Sequence, residues 1–260
     1  MKKSCDFSLA SDTEPQSSAL GSGGQGSPSK SKFVPHSVTV PIDIRPGQIY
    51  LYGEHHSRDE YLQKELDLWA TFYAMGVRDL FIEDSYAGAA FLNEWMQADD
   101  DEILLRLYDD LEGTMAHSQN ALGFYRCIKE NFPETVFHGT DVDHQYYSTG
   151  ERYLNALRDA GQENTDAYAI ALENNKQGKR YYELLEKDEN AGESYRENCM
   201  VHNFIAAYER SGGVCIMGIY GGFHVDQEGE NLLDGTPRMA QQLAKQYGER
   251  LHTEFEALLI

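Results

Sequence analysis

Residues able to do acid–base or metal chemistry gather at four places in this chain, each directly after an apolar run. Ile49–Tyr52 runs into Gly53-Glu54-His55-His56, and Val214–Tyr220 runs into Gly221-Gly222-Phe223-His224, with Asp226 behind it. Val77–Ile82 ends in Glu83-Asp84, and Thr135–His138 in Gly139-Thr140-Asp141, with Asp143 and His144 just beyond. Two chemistries use such a set. In one, His56 and His224 ligate a divalent ion (zinc, manganese or iron), helped by Glu54, Glu83 or Asp141, and the ion activates water. In the other, a histidine acts as general base on water, a carboxylate orients it and a cation stabilises the oxyanion. There is no HExxH pair and no GxSxG nucleophile elbow, which argues against a helix-borne zinc protease and a serine hydrolase. His55 is expected to be a neighbour, because successive side chains of an extended strand point to opposite sides. His138 lies inside a run and reads as a core or pairing histidine.

The elements that must position these residues are strands alternating with helices. Leu62, Leu66, Trp69 and Tyr73 recur at helical spacing up to Gly76, and further helical patterns run through Phe91–Met96, Ile103–Leu107 and Leu122–Ile128. About 143–211 is a mostly helical, tyrosine-rich insert, including Tyr146, Tyr147, Tyr181, Tyr182 and Tyr195. Its tyrosines read as packing by default, or as the lining of a pocket. A last helix is expected over Pro237–Tyr247, an edge strand after it, and a short edge strand over Val38–Ile42. The fold class is α/β: a mainly parallel central sheet flanked by helices, with the helical insert before the last motif-bearing strand. Parallel strands place all four polar ends on one edge, where α/β proteins bind ligands. Residues 1–36 read as a disordered tether, and 37–260 as one α/β domain.

The chain has 260 residues with a formal net charge of −21, which suits a soluble protein and excludes phosphate-backbone binding. No nucleic-acid partner is expected, and no apolar run is long enough to span a membrane. Cys127, Cys199 and Cys215 fall in apolar periodic segments and are expected to be buried thiols. Cys5 heads a polar tail, which would suit a lipid anchor on a surface-tethered protein; an incidental cysteine in a cytoplasmic one is the competing reading.

Arg196, Met200 and Asn203 share a helix face. Pattern alone favours a surface Arg196 paired with Glu193 or Glu197. The ordered set Gly53-x-x-His56, Glu83, Arg196-x-x-x-Met200 and Gly221-x-x-His224 resembles the superfamily joining erythromycin esterases, ChaN-like haem-uptake proteins, TraB/PrgY proteins and TIKI metalloproteases. The resemblance runs from Gln48 to the C-terminus. It implies a hydrolase-type site built on Glu54, His56, Glu83, Arg196 and His224, and the leading expectation is metal-assisted hydrolysis of ester or amide bonds in a small-molecule or peptide substrate, with water as nucleophile. The Gly-Glu-x-His spacing is that of ChaN-like members, so haem or tetrapyrrole binding without turnover is the alternative. Erythromycin esterases have one more residue between the Glu and the His, which argues against a macrolide substrate.

Overall fold

The computed structural model describes residues 33, 35, 42–55, 59–228 and 235–254, of 59 and 60 the backbone alone. The expected disordered tether, Cys5 and most of the expected strand over Val38–Ile42 lie outside the described residues, as does His56. Among the described residues five strands form one parallel sheet: β1 (Ile49–Glu54), β2 (Asp79–Ile82), β3 (Val136–Gly139), β4 (Ile216–Gly221) and β5 (Leu251–Glu254). Their order is β3-β2-β4-β1-β5. β5 is the edge strand expected after the last helix, and it pairs with β1.

The central strands β1, β2 and β4 are buried on both faces nearly throughout, so they read as continuous apolar runs and alternate only in which core they enter. Tyr50, Tyr52, Leu80, Ile82, Met217 and Ile219 enter one core. There they meet α1 (Asp59–Ala74) through Leu66 and Trp69, α2 (Tyr86–Gln97) through Phe91 and Trp95, and α4 (Gln119–Asn131) through Leu122 and Ile128. The same core takes in α3 (Glu102–Asp110) and α5 (Glu151–Asp159). Ile49, Leu51, Phe81, Ile216 and Tyr220 enter the opposite core, against α7 (Glu189–Arg210) and α9 (Met239–Tyr247). Each large apolar side chain buried this way contributes roughly 1.5–3 kcal/mol, so both faces anchor the sheet edge that carries the polar residues.

The expected helical insert is a π-helical turn at Tyr146–Gly150 followed by α5, α6 (Asp166–Leu185) and α7. Asp188 caps α7 by accepting from the amides of Asn190 and Ala191. A one-turn helix, α8 (Gly222–Val225), follows β4 and carries His224.

Among the described residues no helix is long and apolar enough to cross a membrane. Cys127, Cys199 and Cys215 are buried free thiols, as their spacing suggested.

Candidate active site

β1 and β4 are neighbours, with Glu54 in register beside Gly221. The helices that follow them pack on opposite faces of the sheet, α1 in one core and α9 in the other. The two chain exits therefore diverge at the carboxyl ends of the strands, the usual ligand position in a doubly wound sheet.

Arg196 comes to this edge from α7, because Met200 and Phe204 on the same helix face are fully buried against the sheet. Its Nε donates to both oxygens of Asp141, at 3.0 and 3.2 Å, and its Nη2 donates to Asp141 Oδ2 and Glu83 Oε1, each at 2.6 Å. Nη1 makes no hydrogen bond to a described residue. The other oxygen of Glu83 accepts the amide of Gly221. His224 closes the row: its Nε2 lies 3.5 Å from Glu83 and its Nδ1 2.8 Å from Glu197. Glu197 also accepts the amide of Met239, the first residue of α9. At the far end His144 bridges Asp141 and the Tyr182 hydroxyl, each at 3.1 Å. One chain of polar contacts thus runs Tyr182–His144–Asp141–Arg196–Glu83–His224–Glu197.

Burial sets the electrostatics, and specific partners then reverse or reinforce it. Burial opposes charge on His224, but Glu83 and Glu197 outweigh it and raise the ring from 6.5 to about 10. Burial also opposes charge on Asp141, and Arg196 with His144 still holds it well below 3.8. Arg196 is raised above its ordinary value, since Asp141 and Glu83 overcome the cost of its burial.

The remaining expected residues divide. Glu54 is half-buried at the end of β1, beside Gly221. His55 is exposed and packs edge-on against Tyr61, ring centroids 5.5 Å apart. Asp84 turns onto the first turn of α2, where its carboxylate lies against Gly88 and accepts the Ser85 amide. Asp143 turns under the π-helical turn beside Gly150 and Asn175, and its Oδ1 is buried without a partner. Burial raises Asp84 to about 7 and Asp143 to about 6. Asp226 pairs with Arg238 at 3.1 Å. His138 pairs with Asp79 at 2.8 Å and stacks on Phe81, a pairing role as expected.

The surface pairing that pattern favoured for Arg196 is not formed. Glu193 accepts from Tyr181 instead, and Glu197 serves His224. Sequence reasoning missed Glu197 as a site residue, since helix spacing offers no sign that it would meet a residue in α8. It also missed the polar layer beneath Asp141, where Asn174 donates to the Asp141 carbonyl at 2.7 Å and Gln177 bonds Asn203.

Among the described residues no group of three or more His, Cys, Asp or Glu is arranged to hold an ion. Arg196 occupies the space between Glu83 and Asp141, and both nitrogens of His224 face carboxylates.

The fold is thus an all-parallel α/β sheet with a row of polar contacts at its switch point. Solved structures share it. One, described as a succinoglycan biosynthesis protein, aligns over 80% of this chain at TM-score 0.56 and 16% identity. A protein from Bacillus cereus aligns over 81% at TM-score 0.53 and 13% identity. A histidine-to-asparagine mutant of the erythromycin esterase EreC, in its open conformation, aligns over 80% at TM-score 0.56 and 11% identity. The chain spans 65%, 65% and 69% of the lengths of these structures. No family model matches the sequence, and no curated protein matches it significantly.

Proposed function

We propose that this protein hydrolyses ester or amide bonds, with water as the nucleophile, at the carboxyl ends of β1 and β4. The observation that carries the reading is the Arg196–Glu83–His224 row, an arginine and a histidine on either side of one carboxylate at the sheet edge where parallel α/β proteins usually bind ligands. His56, two residues beyond Glu54 in the sequence, is assigned as the base that takes a proton from water, and Glu54 as the group that orients it. The hydroxide adds to the carbonyl carbon. The oxyanion is stabilised by Nη1 of Arg196, the guanidinium nitrogen not engaged by a described residue, and by the charged ring of His224.

His224 is suited to be the acid. Its 2.8 Å contact with Glu197 fixes the ring through Nδ1, while 3.5 Å from Nε2 to Glu83 is longer than a good hydrogen bond. The Nε2 proton can therefore pass to the leaving oxygen or nitrogen. Glu83 is the hub: it accepts from Arg196 and from the Gly221 amide, and its charge lies 3.5 Å from the His224 ring. A base and an oxyanion donor of this kind each contribute roughly 10²–10³-fold.

A metal held between Glu83 and Asp141 would require Arg196 to leave both. A haem-binding role through His224 would require a ring nitrogen with a lone pair to give, and both face carboxylates. The likeness to an erythromycin esterase supports the hydrolytic reading at the level of the fold. The test is turnover of a panel of esters and amides in ¹⁸O-labelled water. One labelled oxygen in the acid product is expected; turnover without label, or none across the panel, would refute the reading.

A further inference from the structure

The tyrosines of the insert take no part in the reaction proposed above, yet they adjoin the polar row. Tyr182, on α6, meets His144 at 3.1 Å, and His144 meets Asp141 at the same distance. Tyr146 and Tyr147, on the π-helical turn, continue the series from Tyr182. The Tyr146 and Tyr182 ring centroids are 6.0 Å apart, and Tyr147 stands at 86° to Tyr146 with centroids 5.4 Å apart. Tyr146 is half-buried and Tyr147 is 73% exposed. The turn that carries them is clamped. Asn175 of α6 donates to the Tyr146 carbonyl at 2.6 Å and to Asp143 at 3.4 Å. A platform held in place before its ligand arrives loses little freedom on binding.

The chemistry of these rings narrows what they can hold. An aromatic face is negative and attracts the partly positive C–H groups of a ligand. Among the described residues neither the Tyr146 nor the Tyr147 hydroxyl has a hydrogen-bond partner. An apolar occupant that excluded water would leave these hydroxyls unsatisfied. A sugar ring answers both needs, with C–H groups for the ring faces and hydroxyls for the phenols. We infer that Tyr146, Tyr147 and Tyr182 form a subsite for a sugar ring carried by the substrate. β2 lies between β3 and β4, so the end of β3, followed by Asp141 and His144, is two strand spacings, roughly 10 Å, from the end of β4, followed by His224. The substrate is then an ester or amide with a sugar about that far from its scissile bond. The sugar subsite stands on the tyrosines alone, and the scissile bond rests on the hydrolase reading.

Two measurements on the full chain test this. The first titrates cellotriose, maltotriose and triacetylchitotriose by calorimetry. At least one is expected to bind with a Kd of about 1 mM or tighter. Tyr147→Ala, at an exposed position, should weaken that binding at least about fivefold, and Tyr147→Phe, which keeps the ring, should weaken it less. No trisaccharide binding below about 10 mM, or binding unchanged in Tyr147→Ala, would overturn the inference. Tighter binding of 2-naphthol, a planar apolar probe, than of every trisaccharide would also overturn it. The second measurement compares a butyrate ester of the trisaccharide that binds with ethyl butyrate. The sugar ester should have a kcat/KM at least about tenfold higher, and Tyr147→Ala should remove the advantage. Equal rates for the two esters would overturn the link between this subsite and the scissile bond. If the trisaccharide binds and neither ester is cleaved, the sugar subsite stands and the hydrolase reading falls.

Discussion

Replacing Arg196 with methionine removes one charge from a buried network while keeping the apolar stem. The wild-type guanidinium is 15% exposed, Glu83 is 8% and Asp141 1% exposed, so water cannot take over for the lost partner. Three hydrogen bonds to Asp141 and one to Glu83 are lost together. Breaking a buried pair by deleting one member typically costs about 3–5 kcal/mol, because the orphaned charge stays desolvated. That is a large share of the roughly 5–15 kcal/mol by which a domain is stable. The assay is urea unfolding followed by circular dichroism at pH 7.5. Asp141→Asn in the same background removes the orphaned charge and should recover part of the loss, giving a coupling energy of at least about 2 kcal/mol in a double-mutant cycle.

The sign of the pH dependence follows from Asp141. Its folded pKa is depressed below 3.8, so the pair's contribution is complete above that value and is lost as pH falls through the folded one. The penalty of Arg196→Met should therefore be full at pH 5–8 and shrink in more acidic solution. A cost below about 1 kcal/mol, or strict additivity with Asp141→Asn, would refute the claim that this ion pair is buried and interdependent.

Asp84 is raised from 3.8 to about 7 by burial, so its ionisation destabilises the native state increasingly as pH rises through that interval. Asp84→Asn should raise the unfolding midpoint at pH 8 and have little effect near pH 4. Ala normally stabilises a helix interior over Gly by about 1 kcal/mol. In α6, however, a Cβ at Gly178 would stand 1.9 Å from the Asp143 carbonyl oxygen, so Gly178→Ala should lower the melting temperature. Dialysis against a chelator should leave the hydrolytic rate unchanged within about twofold if Arg196, not an ion, supplies the positive charge; a loss restored by zinc, manganese or iron would favour the metal-assisted version.

Much of this arrangement was legible in the chain because buried parallel strands leave a strong local mark. The runs at Ile49, Val77, Thr135 and Val214 became β1 to β4, and each polar end lies at the same sheet edge. What was not legible is lateral order. That β4 inserts between β1 and β2 is decided by tertiary packing, and this places Glu54 beside Gly221. The side chosen by each acid was also hidden. Glu83 and Asp141 turn to Arg196, whereas Asp84 and Asp143, close by in the sequence, are drawn beneath α2 and the π-helical turn by gaps at Gly88 and Gly150. Glu197 was hidden for a different reason: its position beside Arg196 suggested a surface pair, and only the placement of α8 against α7 gives it His224.

The measurement that bears most directly on the account is the hydrolytic rate of His56→Ala and His224→Ala, each checked for folding by circular dichroism, on whichever ester the wild type cleaves. A base and an acid that act in one reaction should each cost at least about 100-fold in kcat/KM. Folded variants with wild-type rates would show that the sheet edge at β1 and β4 is not where the chemistry occurs.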